Sequence, residues 1–346
     1  MTRTPAKVRP SERPGATRSV LRSPWLWSVV GIVVLFAIQP LLPAGVMSLI
    51  MLICIYSVYA LGYDVMFGLT AQSSLGQAAF FGLGGYSLVL TSLRLNFPLP
   101  LAILTGLVVG LAAAFIIGAI AVRLSEAYFV IITLLYASVL LLLANNLNKI
   151  TGGNDGLSFN LQPFNLLGMR IDLYEPRTMY FLLAGVAVLF FLFTLMLSRS
   201  RLGLVLRSVG DNQNRVPFLG YNLYRYKLAA FVIAGFMTSV SGILYALRLH
   251  YVSTEFLSFR MSVMPIVWVL LGGRGTVIGP VIGVAIMTIF EYYVSAIVTN
   301  YLIIVGVLLI LVMRWSPRGL VGYLQSLLGG RARRRLKTAP QGKEDA

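Results

Sequence analysis

Stretches of predominantly apolar residues, many of them close to 20 residues long, recur along almost the whole of this 346-residue chain. They lie at 25–42, 46–67, 77–93, 99–122, 126–145, 178–197, 226–249, 259–271, 277–297 and 301–313. A helix rises about 1.5 Å per residue, so about 20 such residues match a hydrocarbon core about 30 Å thick. In lipid every backbone N–H and C=O must be satisfied within the protein, and a helix does that segment by segment. The expected fold is therefore an all-α polytopic membrane protein with about ten transmembrane helices. The count drops to nine if 259–271, too short to span upright, is a half-helix. Composition agrees: 58% of residues are hydrophobic and 11% charged, where a soluble domain carries about 25% charged residues.

The net charge of +17 first suggests nucleic acid, but its distribution points to a membrane. Of 28 Lys and Arg, six lie in residues 1–22, six between Arg199 and Lys227, and eight from Arg314 onward. Basic stretches flanking apolar segments follow the positive-inside rule. The loop 147–177 is balanced instead, with Lys149, Arg170 and Arg177 against Asp155, Asp172 and Glu175. Both termini and the Arg199–Lys227 loop are thus expected in the cytoplasm, and 147–177 outside. Six crossings return the chain inside at Arg199 and four more at Arg314, so count and charge agree. The expected layout is a basic cytoplasmic tail at 1–24, a membrane domain at 25–313, and a basic cytoplasmic tail at 314–346. Within the domain lie an extracytoplasmic loop, 146–177, and a cytoplasmic loop, 198–225. The first apolar segment is followed by no small-residue cleavage site and reads as a retained span. The lone Cys54 can form no internal disulfide, and the lone His250 is too little for a metal site.

Against this background the run at 68–82, GLTAQSSLGQAAFFG, stands out. Glycines and small polar side chains at membrane depth make sense where the backbone is broken against protein or a wet cavity. A second break comes at 271–280, LGGRGTVIGP, and the two form a weak internal echo. Interrupted segments in corresponding positions point to a solute path between repeats. Gln72, Ser73, Ser74 and Gln77 are candidates to line that path; they are equally suited to satisfying the broken backbone. Asp64, Glu126 and Glu291 are the acids within or at the ends of spans, and Asp64 either lines the pore or is a capped structural acid. Gly106 with Gly110, and Gly279 with Gly283, are spaced for close helix packing. Trp25 and Trp27 fit an interfacial belt, and the Arg331–Arg335 cluster fits anionic lipid headgroups.

Five motifs occur together in order: 64–81, Thr151-Gly152-Gly153-Asn154-Asp155-Gly156, Arg215-Val216-Pro217-Phe218-Leu219-Gly220-Tyr221-Asn222, 272–283 and Pro317-Arg318-Gly319-Leu320. In these the chain resembles the permease subunits of high-affinity branched-chain amino acid ABC importers, the LivH/LivM type and its M-like branch, over about residues 45–323. The resemblance implies ABC-importer permease architecture in a bacterial inner membrane. It also implies a second, H-type permease, two cytoplasmic ATP-binding subunits and an extracytoplasmic solute-binding protein. Three positions depart from the family pattern. Asp64 stands where Asn is common, and Asp at this position is also found in related urea permeases. Ala71 stands for a usual Gly, and Met264 for a polar residue.

The chain lacks a G-x-x-x-x-G-K-[ST] phosphate loop, so ATP is expected on partner subunits and no cofactor here. Residues 215–220 resemble the family segment that docks on the ATPase: Phe218 and Leu219 fill an apolar socket and Gly220 ends the helix. A solvated linker whose arginines set topology is the plainer reading. The outer loop either receives the binding protein, gates the pore mouth, or is a structural cover for the pore. The leading expectation is a non-enzymatic pore subunit passing branched-chain amino acids or a related small polar solute. The alternatives are a urea- or amide-type ABC permease and a self-sufficient secondary carrier. A membrane enzyme is disfavoured, because no His, Cys or paired-carboxylate constellation is available.

Overall fold

The computed structural model describes residues 31–32, 35–160, 164–166, 169–295, 297, 306 and 319–320, and the chain divides into two units, 1–42 and 43–346. In the first unit the described residues are helical at 31–32 and 35–37 and end in a 3-10 turn, Gln39–Leu41.

The described residues of the second unit are mostly helical, with short strands on one face. Its longer helices are α1 (Ala44–Thr70), α2 (Gln77–Arg94), α3 (Leu99–Ala121), α4 (Glu126–Asn146), α5 (Pro176–Arg199), α6 (Arg201–Asn212), α7 (Leu223–Leu249), α8 (Phe259–Gly272) and α9 (Ile278–Ser295). Their starts reflect local chemistry. Proline occupies the first turn of α3 and α5, where its missing N–H leaves no bond unmade. The Ser200, Asn222 and Ser258 side chains cap α6, α7 and α8 by accepting the N–H of Gly203, Arg225 and Met261 at 3.2, 3.2 and 3.4 Å.

Among the described residues, six helices are long and apolar enough to cross a membrane: α1, α3, 127–146 of α4, α5, α7 and α9. Six of the ten expected crossings are thus present as such helices among the described residues. The segment expected at 259–271 is the 14-residue α8, about 21 Å long, too short to span upright. The one expected at 77–93 is α2, whose three glycines and flanking aromatic residues are enclosed by protein. Residues 25–30 and 33–34 of the first expected span, all of 301–313 but residue 306, the tail 1–24, and the tail 314–346 apart from 319–320 lie outside the described residues.

α1 and α7 form the centre. α1 packs against α5, α6, α7 and α9, and α7 also carries α2 and α3. Gly106 and Gly110 of α3 face Ile243 and Ser239 of α7, so backbones approach where side chains are absent. Tyr59 binds the Met261 carbonyl at 2.8 Å and lies against Trp268 and Phe81, tying α1 to α8 and α2. On the outside, Val108, Phe115, Ile116, Leu142 and Met196 are exposed, an apolar face suited to lipid or another helix.

Chain direction fixes the two faces. Arg94, at the end of α2, donates to the carbonyls of Lys149 and Ile150 in the long loop. The end of α7 reaches the same face, because β1 (Leu157–Ser158) pairs antiparallel with β4 (Tyr251–Val252). A second antiparallel pair, β2 (Phe164–Leu166) with β3 (Met169–Ile171), belongs to this loop. Both breaks, after α1 and between α8 and α9, lie toward the opposite face.

Candidate functional site

α1 stops at Ala71, which takes the left-handed conformation with φ 57°. From there to Gly76 the backbone is without helical bonds and is satisfied by side chains from several helices. The Tyr63 hydroxyl donates to the Ser74 carbonyl at 3.1 Å and accepts from the Ser74 N–H at 3.2 Å. The Leu75 N–H donates to Thr133 Oγ1 at 3.2 Å, and Tyr136 OH donates to the Gly76 carbonyl at 3.0 Å. The Ser262 hydroxyl accepts from the Ala78 N–H at 3.2 Å. α1, α4 and α8 thus replace the bonds that the break gives up, as burial in an apolar medium demands.

The second break contacts the same region. Asp64 of α1 is buried, and its Oδ1 accepts the Gly275 N–H at 2.7 Å. The Val277 N–H also bonds this carboxylate, and the guanidiniums of Arg207 and Arg274 act on it. Val277 pays a conformational cost for that position, with φ 60°, rare for a β-branched side chain. Gly68, one turn after Asp64, sits where a Cβ would meet the Asp64 carboxylate and the Gly275 N–H.

The candidate path residues separate. Asp64, Ser74 and Gln77 are enclosed. Ser74 Oγ accepts from the Gly76 N–H at 3.2 Å, and Gln77 lies between Met66 Sδ at 3.8 Å and the Thr238 hydroxyl at 3.3 Å. Gln72 and half-buried Ser73 instead line a cavity between the break and the first turns of α4, with Phe129 and Val130 opposite. Tyr63, Thr133, Tyr136, Ser262 and Val277 were not singled out from sequence. A buried tyrosine hydroxyl at membrane depth needs a partner, and that was the available signal for Tyr63 and Tyr136.

On the same face, 215–220 forms a protruding turn. Pro217–Leu219 is a 3-10 helix closed by Gly220 at φ 81°, with the Gly220 N–H on the Pro217 carbonyl at 3.0 Å. Val216 is buried, whereas Phe218 is 90% and Leu219 67% exposed; Arg215 is also exposed. α6 connects this turn to the break. Its Leu206 clusters with Val65, Leu69 and Ala230, and Gly210 lies against the Leu69–Thr70 backbone.

On the opposite face the Thr151–Gly156 motif is fastened to the segment just beyond α7. Tyr251 OH donates to the Asp155 carbonyl at 2.8 Å and Thr254 Oγ1 to Asn154 Oδ1 at 2.9 Å. This part of the loop is held as a cover on the bundle.

The sequence profile described as the permease component of the branched-chain amino acid transport system matches residues 45–313. The high-affinity branched-chain amino acid transport system permease protein LivM of Escherichia coli (strain K12) is 27% identical over 318 residues, covering 85% of this chain and 74% of that one. The probable branched-chain amino acid transport permease protein LivM of Methanocaldococcus jannaschii is 28% identical over 245 residues, 64% of this chain and 68% of that one. LivH of Escherichia coli (strain K12), also a permease protein of that transport system, is 31% identical over 131 residues, 37% of this chain and 42% of that one. No solved structure matches.

Proposed function

This chain belongs to the family of branched-chain amino acid transport permease components, and from that premise we propose that it is one of two pore-forming subunits of an ATP-driven importer. It performs no chemistry. It passes leucine, isoleucine or valine, delivered by an extracytoplasmic solute-binding protein, across a bacterial inner membrane. The second permease is H-type, and two cytoplasmic subunits bind and hydrolyse ATP.

The observation that carries this reading is the connection from the exposed Phe218–Leu219 turn, through α6, to the Gln72–Ser73 break. Two large apolar side chains on an otherwise basic, polar loop suit a socket on another protein. A push on that turn reaches the end of α1 through packed side chains, which gives an external motor purchase on the break. A self-sufficient carrier has no use for such a turn, and coupling ions usually require more intramembrane acids than this chain has. In this reading the basic face bearing α6 is cytoplasmic, with both termini, and the face bearing β1–β4 is outside.

The test is uptake of radiolabelled leucine, isoleucine and valine by the chain co-expressed with its genetic neighbours, against urea and acetamide as competitors. ATP-dependent uptake of the three amino acids is expected. Uptake by this chain alone, driven by an ion gradient, overturns the reading. Orientation is tested with single cysteines replacing Ser158 and Asn212 in a Cys54→Ala background. An impermeant thiol reagent should reach the first from outside and the second only from inside.

A further inference from the structure

On the face that carries the long loop, a half-open cavity of ≈ 220 Å³ lies between the starts of α1 and α5 and the end of α7. Its lining joins Ser48, Arg248 and His250 to Met47, Met51 and Met179. Arg248 is anchored by donating from Nη2 to the Ser48 hydroxyl. Its Nε is buried with no hydrogen-bond partner among the described residues, and so is Nε2 of His250. Those two atoms are closed off by protein, which leaves Nη1 of Arg248 and Nδ1 of His250 as the nitrogens of these side chains that can meet a ligand in the cavity.

Resting on the reading of this chain as an amino-acid permease, we propose that this cavity is a subsite for an α-amino acid with an aliphatic side chain, its carboxylate held by Arg248 and its ammonium by His250. A guanidinium presents donors matched to a carboxylate. His250 is fixed for the second task. α7 ends on it at φ 56°, and its ring stacks on Tyr174 at 4.8 Å and 10°. Burial, reinforced by the Arg248 charge, moves the imidazole below its ordinary range. The ring is therefore neutral near pH 7, and one of its nitrogens accepts a hydrogen bond. The three methionines supply a flexible apolar wall that adapts to leucine, isoleucine or valine. The site lies on the face where a solute-binding protein would deliver its cargo.

An oxyanion carried on an aliphatic chain also describes an anionic phospholipid such as phosphatidylglycerol, which offers Arg248 a phosphate and His250 no ammonium. The experiment separates the two. The full-length chain in phosphatidylcholine nanodiscs is photolabelled with a diazirine analogue of leucine, and the labelled peptides are mapped. Label is expected on segments carrying Met47, Met51 or Met179. Leucine should compete it away; leucinamide, lacking the carboxylate, and 4-methylpentanoate, lacking the ammonium, should not. Arg248→Gln should reduce labelling at least tenfold. His250→Asn, which keeps an acceptor and tolerates the left-handed backbone, should reduce it less than His250→Leu. Arg248→Lys retains the charge and controls for folding. Labelling elsewhere, labelling indifferent to Arg248→Gln in a chain that elutes as wild type, or labelling displaced by added phosphatidylglycerol but not by leucine overturns the subsite. Uptake of branched-chain amino acids without labelling here overturns the subsite alone. Labelling here without such uptake leaves the subsite standing and overturns the transport reading.

Discussion

Asp64 and Gly275 lie 211 residues apart in sequence, yet the Asp64 carboxylate accepts the Gly275 N–H at 2.7 Å. This bond joins the helix that enters the first break to the turn that makes the second. A buried carboxylate beside unpaired backbone N–H groups satisfies them at short range. The bond also accounts for the glycine at 68: any side chain there would occupy the space between carboxylate and turn. The two breaks of the internal echo therefore form one buried cluster.

If the Asp64 carboxylate anchors the second break, the acceptor matters more than the charge. Asp64→Asn keeps one carbonyl oxygen and should lower stability by about 1 kcal/mol or less. Asp64→Leu leaves the Gly275 and Val277 N–H groups without a partner, a cost of about 1–3 kcal/mol each. Thermal unfolding of the purified chain in detergent should rank wild type, Asn, then Leu. A Leu variant as stable as wild type would remove the anchoring role.

Gly68→Ala should destabilise by about 1–3 kcal/mol, since the added methyl meets the Asp64 carboxylate and the Gly275 backbone rather than a flexible side-chain end. Gly45→Ala, in the same helix, is its control. The nearest atom to a Cβ there is Tyr292 Oη at an ordinary 3.8 Å. The better helix former should leave stability unchanged or raise it by about 0.5–1 kcal/mol. Equal effects from both would show that helix propensity, not the approach of the second break, governs these positions.

The positions of the breaks were legible in sequence because glycine and small polar residues are poor choices for a lipid-crossing helix. What closes the breaks was not. Nothing local distinguishes Ser73 from Ser74, yet one lines a cavity and the other is enclosed, because Tyr63 clamps the Ser74 backbone from a full helical stretch away. Asp64 was visible as a rare acid in a span, but its partner is set by tertiary approach. Val277 is the opposite case, since its residue type argues against the left-handed conformation that it adopts. α2 was expected as a span from its apolar content, and its buried glycines place it among other helices rather than at the outer apolar face. The apolar turn at Phe218 was legible as an oddity on a basic loop, and its protrusion comes from the Pro217 and Gly220 limits of a single turn.

Phe218→Asp should leave the isolated chain unchanged within about 0.5 kcal/mol, because a side chain 90% exposed is not packed into the core of the described residues. In the assembled importer the same change should release the ATP-binding subunits. Loss of a contact worth about 2 kcal/mol weakens association about 30-fold, readable as co-purification. Val216→Asp is the contrasting variant: Val216 is buried, so its loss should destabilise the chain itself. Normal recovery of the complex with Phe218→Asp would reduce the loop to a determinant of topology.

The polar residues of the first break make opposite predictions at adjacent positions. Ser74 is fully buried, its hydroxyl bonded to the Gly76 N–H and its backbone to Tyr63. Ser73 is half-buried and shares its cavity with Gln72, Phe129 and Val130. Serine to cysteine changes volume little and adds a reactive handle, and reaction needs access to the thiolate. In a Cys54→Ala background, Ser73→Cys should react with a small polar methanethiosulfonate in the isolated chain, and Ser74→Cys should not. Reaction at position 73 should also depend on the state of the assembled importer if the cavity belongs to the solute path, so ATP and loaded binding protein should change its rate. A constant rate in every state would make the Gln72–Ser73 cavity a surface feature. Reaction at position 74 that appears only during turnover would show that the Tyr63 clamp opens, and that the break itself moves when solute passes.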